Sequence, residues 1–149
     1  ASIVEQGGRW FTCTADATSG QHLVHCINPG TKTVEWTVKS PFSQYHRHEF
    51  NTFASTTPVV CSKGGVALSP SGTSEIQVFG FSLTGKKTWS MELGKFPTQH
   101  GHGASPTIVG TTAIVAAEPD FAMGGIFAID VASGKVISAF NVNSLEPEF

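Results

Sequence analysis

The sequence repeats one pattern three times along its 149 residues. In the two clearer copies, a Thr-Pro or Ser-Pro pair precedes a short β-branched run, and a Gly-Lys pair follows a later apolar run. The spacing is 48 residues from Pro58 to Pro106 and 49 residues from Gly85 to Gly134. A looser copy lies upstream, around Trp36. Periods of about 20–50 residues are typical of solenoids, propellers and arrays, so the repeat constrains the fold more than any other feature.

Each copy of the repeat predicts four strands, because runs rich in Val, Ile, Thr, Phe and Trp are bounded by Gly, Pro, Ser and Asn. The predicted ranges are 2–5, 8–14, 22–28 and 33–39, then 58–62, 65–69, 76–83 and 87–93, then 106–109, 112–117, 125–130 and 135–142. A four-stranded antiparallel unit repeated in tandem is a propeller blade, whereas a sandwich or a jelly roll predicts no equal repeats. We therefore expect an all-β partial ring in a single segment, 1–149, with blades at about 1–40, 55–94 and 104–144.

Glycines predict the tight turns of each blade. With the strands lettered A to D, Gly7-Gly8 and Gly64-Gly65 are predicted A–B turns, and Gly85 and Gly134 are predicted to supply the positive φ of the C–D turns. Lys32 occupies this position in the first repeat, so we expect a different turn there.

Because consecutive strands of a blade run in opposite directions, each loop is predicted to lie at one of the two ends of the blades. A–B and C–D turns share one end, here called the short-turn end, while B–C and D–A connections share the other, the long-loop end. Long loops at one end of a rigid scaffold often carry binding residues. The ligand-face candidates at the long-loop end are His46, His48, Glu49, Asn51, His100 and His102.

These polar residues have three interpretations. Two imidazoles and a carboxylate on one face are able to bind a transition metal or to transfer protons. A second interpretation is a ligand-binding surface. The favoured one is structural, in which the side chains satisfy backbone amides where the chain crosses between blades. The sequence therefore assigns no catalytic residue, no metal ligand and no cofactor.

Composition excludes several partner classes. Charged residues are 13% of the chain, the net charge is −2 and no basic stripe exists, so we expect no nucleic-acid partner. The longest apolar run, Ala113 to Ala117, is far shorter than the roughly 20 residues of a membrane span. The sequence begins without Met, so we expect a processed or recombinant piece whose original location cannot be predicted.

The three cysteines do not predict a disulfide framework. Cys13 and Cys26 are expected to face each other across a hairpin, within reach of a disulfide. Two buried free thiols are the favoured alternative.

The stretch from Ala128 to Lys135 resembles the repeat signature of pyrroloquinoline-quinone-like β-propellers. In that signature an Ala-x-Asp strand precedes a Thr/Ser-Gly-Lys turn, and a Trp follows the Gly by four residues. Gly85 and Trp89 match this spacing, and Trp36 matches it relative to Lys32. Ser138 stands where the third Trp would be. By this resemblance the structural repeat anchors are Trp36, Trp89, Gly85, Gly134 and Asp130.

The linkers 48–58 and 99–106 resemble those of a mostly uncharacterised bacterial subgroup of these propellers, abundant in planctomycetes. The resemblance implies an extracytoplasmic location, in the periplasm, at the cell surface or secreted. Quinone-dependent dehydrogenases of this family cage their cofactor in a full ring, with an adjacent cysteine pair, a Trp floor and a calcium ion. Because this chain has no adjacent cysteines and only three predicted blades, we do not expect quinone binding.

Two functions are compatible with these observations. The favoured one is a non-catalytic binding or scaffold module of a secreted or envelope bacterial protein. The alternative is a fragment of an enzyme whose His/Glu site at the long-loop end is completed by further blades. Three blades leave two apolar faces uncovered, so we expect self-association, with a six-bladed homodimer favoured, and a protein or small-molecule ligand at the long-loop end.

Overall fold

Three four-stranded antiparallel sheets make up the structure, a computed structural model that describes residues 1–72, 75–95, 103–117 and 125–141. The described residues contain no helix. The strands are β1 (Val4–Gln6), β2 (Arg9–Asp16), β3 (Gln21–Asn28), β4 (Thr33–Pro41), β5 (Val59–Cys61), β6 (Gly64–Ser71), β7 (Glu75–Phe81), β8 (Lys87–Lys95), β9 (Thr107–Val109), β10 (Thr112–Ala117), β11 (Gly125–Asp130) and β12 (Val136–Asn141).

Each sheet is a meander of consecutive strands, β1–β4, β5–β8 and β9–β12, here called blade 1, blade 2 and blade 3. The predicted all-β fold of three four-stranded blades is confirmed. The largest local difference is the A–B turn of blade 2, which falls at Ser62 and Lys63 instead of Gly64-Gly65. Gly65 lies inside β6 opposite Phe81, and it must be glycine because a Cβ there would stand 2.2 Å from the Phe81 ring.

The short first strands of the three blades lie side by side, since β1 contacts β5 and β5 contacts β9. One hydrogen bond repeats between them. The Ser2 N–H donates to Thr57 Oγ1 at 2.8 Å, and the Thr57 N–H donates to Ser105 Oγ at 2.9 Å. These strands therefore form the inner edge of the arc, and a hydroxyl just before β5 and another just before β9 link each of these strands to the preceding blade.

Two hydrophobic clusters lie between the blades. The cluster between blades 1 and 2 has eight buried residues, Phe11, Val24, Cys26, Val38, Val60, Ala67, Phe79 and Phe81. The cluster between blades 2 and 3 has twelve, Val59, Cys61, Val66, Leu68, Ile76, Val78, Leu93, Ala113, Val115, Ala117, Ile129 and Val131. Burial of apolar area is the main stabilising contribution to folding, so the blades are held together chiefly face to face.

A tryptophan from each of the first two blades docks on the C–D turn of the next blade. Trp36 Nε1 donates to the Leu83 carbonyl at 3.1 Å. A Cβ on Gly85 would stand 2.7 Å from Trp36 Cγ, so the turn must be glycine for the indole to pack on it. The Trp36 ring also lies 5.8 Å from Phe11 and 5.9 Å from Phe81, centroid to centroid.

Trp89 repeats this contact on blade 3. Its Nε1 donates to the Val131 carbonyl at 2.8 Å, and a Cβ on Gly134 would stand 2.5 Å from its Cδ2. Trp89 and Trp36 are half-buried. The fourth strand is outermost, which leaves one edge of each indole in solvent.

Each C–D turn contains one residue with a positive φ. Gly85 and Gly134 have φ of 88° and 74°, and Lys32 has φ of 56°. Lys32 thus adopts the left-handed region that glycine occupies in the other two blades. In blade 3, Asp130 Oδ2 accepts the N–H and hydroxyl of Ser133, which lowers the pKa of the Asp130 carboxyl.

All three cysteines are free thiols. The strand register places Cys13 opposite Val24 and Cys26 opposite Phe11, so the expectation that the two cysteines face each other is wrong by two residues. Both thiols point into the contact between blades 1 and 2. Burial raises the pKa of Cys13 to about 12.

Candidate functional site

The linker from blade 1 to blade 2, residues 42–58, lies at the long-loop end. Its first residues contact the B–C connections of both blades. The Phe42 N–H donates to the Gly20 carbonyl at 2.9 Å, and the Gly72 N–H donates to the Ser43 carbonyl at 2.7 Å. The linker is thus attached to a rigid platform made by two blades.

His22 joins blade 1, blade 2 and the linker. It is buried, its Nδ1 lies 2.5 Å from Ser69 Oγ, and its Nε2 lies 2.7 Å from the Phe53 carbonyl. Because a carbonyl only accepts, Nε2 carries the proton and Nδ1 accepts from the Ser69 hydroxyl. Burial lowers the pKa of His22 to about 4, and its ring stacks on Phe42 at 4.0 Å. The local sequence does not mark His22 as a joining residue, since both hydrogen-bond partners lie far away in the chain.

Arg47 fixes the middle of the linker. Its guanidinium lies over the Phe53 ring, 4.7 Å from the centroid, and Nη1 donates to the carbonyls of His48 and Asn51. Tyr45 meets the same Phe53 ring edge-on at 5.1 Å. Cation–π contact and two charge-assisted hydrogen bonds hold the segment in one conformation.

Residues 48–51 form a tight turn closed by a hydrogen bond of 2.9 Å from the Asn51 N–H to the His48 carbonyl. The Phe50 N–H also donates to His48 Nδ1 at 3.3 Å. Phe50 lies at the tip of this turn and is 85% exposed. The linker therefore presents an apolar ring to solvent on a turn that Arg47 stabilises.

The structure places four of the six ligand-face candidates. His46, His48 and Glu49 are exposed and Asn51 is partly buried, all on the linker. His100 and His102 lie outside the described residues, so their position at the long-loop end stays a prediction. Among the residues that the structure describes, no three His, Cys, Asp or Glu side chains are grouped to hold a metal ion.

The cysteines and two of the tryptophans that a quinone site of the resembling dehydrogenases would need have other positions in this fold. Cys13, Cys26 and Cys61 lie on separate strands and are buried or partly buried in the contacts between blades. The half-buried Trp36 and Trp89 pack on the glycine turns of neighbouring blades. These side chains do not fit the cysteine pair and Trp floor of a quinone site.

The three meanders, arranged around one inner edge, define a partial β-propeller. No protein-family model matches the sequence, and no curated protein matches it. Among solved structures, a europium-containing methanol dehydrogenase is similar, with a TM-score of 0.56 and 13% identity. The similarity covers 92% of this chain and 23% of that chain. At this identity the comparison shows the propeller fold alone. No helix among the described residues is long and apolar enough to cross a membrane.

Proposed function

We propose that this chain is a non-catalytic binding module that recognises a protein partner at its long-loop end, through the turn 48–51. The observation that carries the proposal is Phe50, which is 85% exposed on a turn closed by one backbone hydrogen bond and held by Arg47. Aromatic side chains are enriched at protein interfaces, and a few anchors dominate the binding energy.

Rigidity of the turn favours binding. Association costs the entropy of ordering side chains and loops, and a segment that is already ordered avoids part of this cost. The exposed carboxylate of Glu49 stands beside Phe50 in the chain. The partner best matched to this surface is a peptide segment with an apolar side chain next to Lys or Arg.

The location proposed for the module is extracytoplasmic in a bacterium, supported by the resemblance of the repeats and linkers to the propeller subgroup described above. A reporter fusion of the full-length protein would test this. Activity of a periplasm-dependent reporter supports the location, and activity only of a cytoplasmic reporter contradicts it.

Selection of peptides from a random displayed library tests the binding function. We expect enriched peptides that pair an apolar residue with a basic one, and a Phe50→Ala variant that binds them at least about 30-fold more weakly, as for an interface hot spot. Leu83→Ala is the matched control, because Leu83 is an exposed apolar residue at the short-turn end. Specific peptides whose affinity is the same for wild type and Phe50→Ala would contradict the proposal, as would a selection that enriches none.

A further inference from the structure

The two ends of the arc carry blade faces that no described blade covers. We call the face that a blade turns toward the following blade its outgoing face, and the opposite one its incoming face. The outgoing face of blade 3 is apolar, and its Phe140 is 60% exposed. The strand register places on this face Ile114, Ala116, Ile126, Ala128, Ser138 and Phe140.

At each end of the arc, the hydrogen bond that repeats along the inner edge has only one of its two groups. Blade 3 has the Ser105 N–H as a donor, and blade 1 has the Ser2 hydroxyl as an acceptor. Ser105 accepts from Thr57 through its hydroxyl, as Thr57 accepts from Ser2. Within the described residues, no further blade offers a hydroxyl to the Ser105 N–H or an N–H to the Ser2 hydroxyl. Blade 3 meeting a blade 1 would complete the same bond a third time.

At the ends of the arc, the tryptophan lies on the incoming face of blade 1 and not on the outgoing face of blade 3. On the outgoing faces, Trp89 pairs with Gly80, whereas the equivalent Ser138 pairs with Ala128. On the incoming faces, Ala113 pairs with Ile129, whereas the equivalent Trp10 pairs with Ile27. The contact between blades 2 and 3 thus combines Trp89, Ala113 and Ile129. A contact of Ser138 with Trp10 and Ile27 would have nearly the same total side-chain volume as that set, with the indole on the other blade. Packed contacts tolerate rearrangements that conserve volume.

The C–D turn of blade 1 agrees with this exchange. Lys32 stands where Gly85 and Gly134 receive an indole, and a Cβ on those glycines would stand only 2.7 and 2.5 Å from the tryptophan ring. Blade 1 therefore cannot receive an outgoing tryptophan, and blade 3, which has Ser138, does not offer one. The two changes match if these faces meet each other.

The incoming face of blade 1 is suited to burial, although it is more polar than expected for an uncovered blade face. His25 Nε2 lies 2.7 Å from Thr14 Oγ1, and His25 Nδ1 lies 2.9 Å from Thr37 Oγ1. Both ring nitrogens are paired within the blade, so a neighbouring blade can cover the row without leaving a ring nitrogen unsatisfied. Trp10, 43% exposed, supplies the apolar part of this face.

We propose that a second copy of this chain covers these faces, with blade 3 of each copy packed on blade 1 of the other. The contact is head-to-tail, and such contacts generate a closed ring when the rotation between copies closes. Propellers close with about four to eight blades, and two copies of the three described blades make six. The result is a six-bladed homodimer with a two-fold axis. This proposal does not depend on Phe50, and its test measures mass rather than peptide binding.

Light scattering and sedimentation at micromolar concentration test the assembly, with three variants. Wild type is expected at twice the 15.7 kDa chain mass. Ser138→Trp should weaken dimerisation at least about tenfold, because the added indole meets Trp10 and Lys32 of the partner copy. The triple variant S138W/W10A/K32G recreates the residues of the contact between blades 2 and 3, and should recover most of that loss. Thr18→Trp adds an exposed tryptophan to a turn away from both faces and should dimerise like wild type.

Each outcome decides the proposal. A wild-type monomer at micromolar concentration overturns it. A Ser138→Trp variant that dimerises like wild type also overturns it, as does a triple variant that is folded by circular dichroism yet as weak as the single one. Weakening by Ser138→Trp with recovery in the triple variant supports it, since only facing positions compensate each other.

Discussion

Burial of His22 makes the contact between blades 1 and 2 sensitive to acid. The folded-state pKa of about 4 lies below the ordinary histidine pKa of 6.5, so the unfolded chain takes up a proton first as the pH falls. Stability is therefore fully present above about pH 6.5 and is lost progressively down to about pH 4. At 1.36 kcal/mol per pKa unit, the loss approaches about 3 kcal/mol.

Urea unfolding of His22→Gln between pH 7 and pH 4.5 tests this linkage. The variant is less stable at pH 7, because glutamine cannot reproduce both hydrogen bonds and the stacking on Phe42, but its free energy of unfolding should fall less with acid than that of wild type. His25, whose pKa burial also lowers, contributes equally to both proteins. His46→Gln is the control, since His46 is exposed. Parallel pH profiles for wild type and His22→Gln would contradict the assignment.

At the scale of single elements, the glycine of a C–D turn fixes how two blades dock. Gly8 and Gly134 have nearly the same φ, 75° and 74°, but differ in surroundings. A Cβ on Gly8 meets nothing within 4 Å, whereas one on Gly134 meets the Trp89 ring. Alanine variants of these two glycines therefore distinguish the cost of backbone strain from the cost of losing the docked indole.

Gly8→Ala should cost about 1–2 kcal/mol, the price of a left-handed backbone with a side chain. Gly134→Ala should cost about 1–3 kcal/mol more, because the alanine methyl group displaces the indole and its hydrogen bond to Val131. Chemical denaturation of both variants measures the difference. Equal losses would mean that the indole contact contributes nothing to stability.

The sequence predicted the elements better than the contacts between them. The strand positions follow from local alternation and turn residues, which are visible within each repeat. Gly65 was assigned to a turn, because its real function, making room for Phe81 across the sheet, depends on the register. His22 was missed for the same reason, since Ser69 and Phe53 are neighbours only after two blades have packed. The sequence identifies the linker residues as candidates, but it does not predict that Arg47 packs on Phe53 and orders the linker around that contact.

At the scale of the whole molecule, stability is divided between the two contacts that join the blades. Repeat architectures behave as chains of units with nearest-neighbour coupling, so each contact can open by itself. The cluster between blades 2 and 3 has twelve buried residues and the one between blades 1 and 2 has eight. Because the cluster between blades 1 and 2 is the smaller, we predict that blade 1 separates from blade 2 before blade 3 does.

The cysteines report each opening separately. Cys13 and Cys26 lie in the contact between blades 1 and 2, and Cys61 lies in the other. Under native conditions with low urea, we expect alkylation of Cys26 at least about tenfold faster than that of Cys61. This ratio corresponds to about 1.4 kcal/mol, less than one buried aliphatic side chain contributes. Cys13 is the internal control and should be labelled together with Cys26, because the same opening exposes both thiols. Mass spectrometry of the digested protein gives all three rates. Equal rates for Cys26 and Cys61 would show instead that the arc opens as one cooperative unit, with the coupling between blades stronger than the difference between their cores.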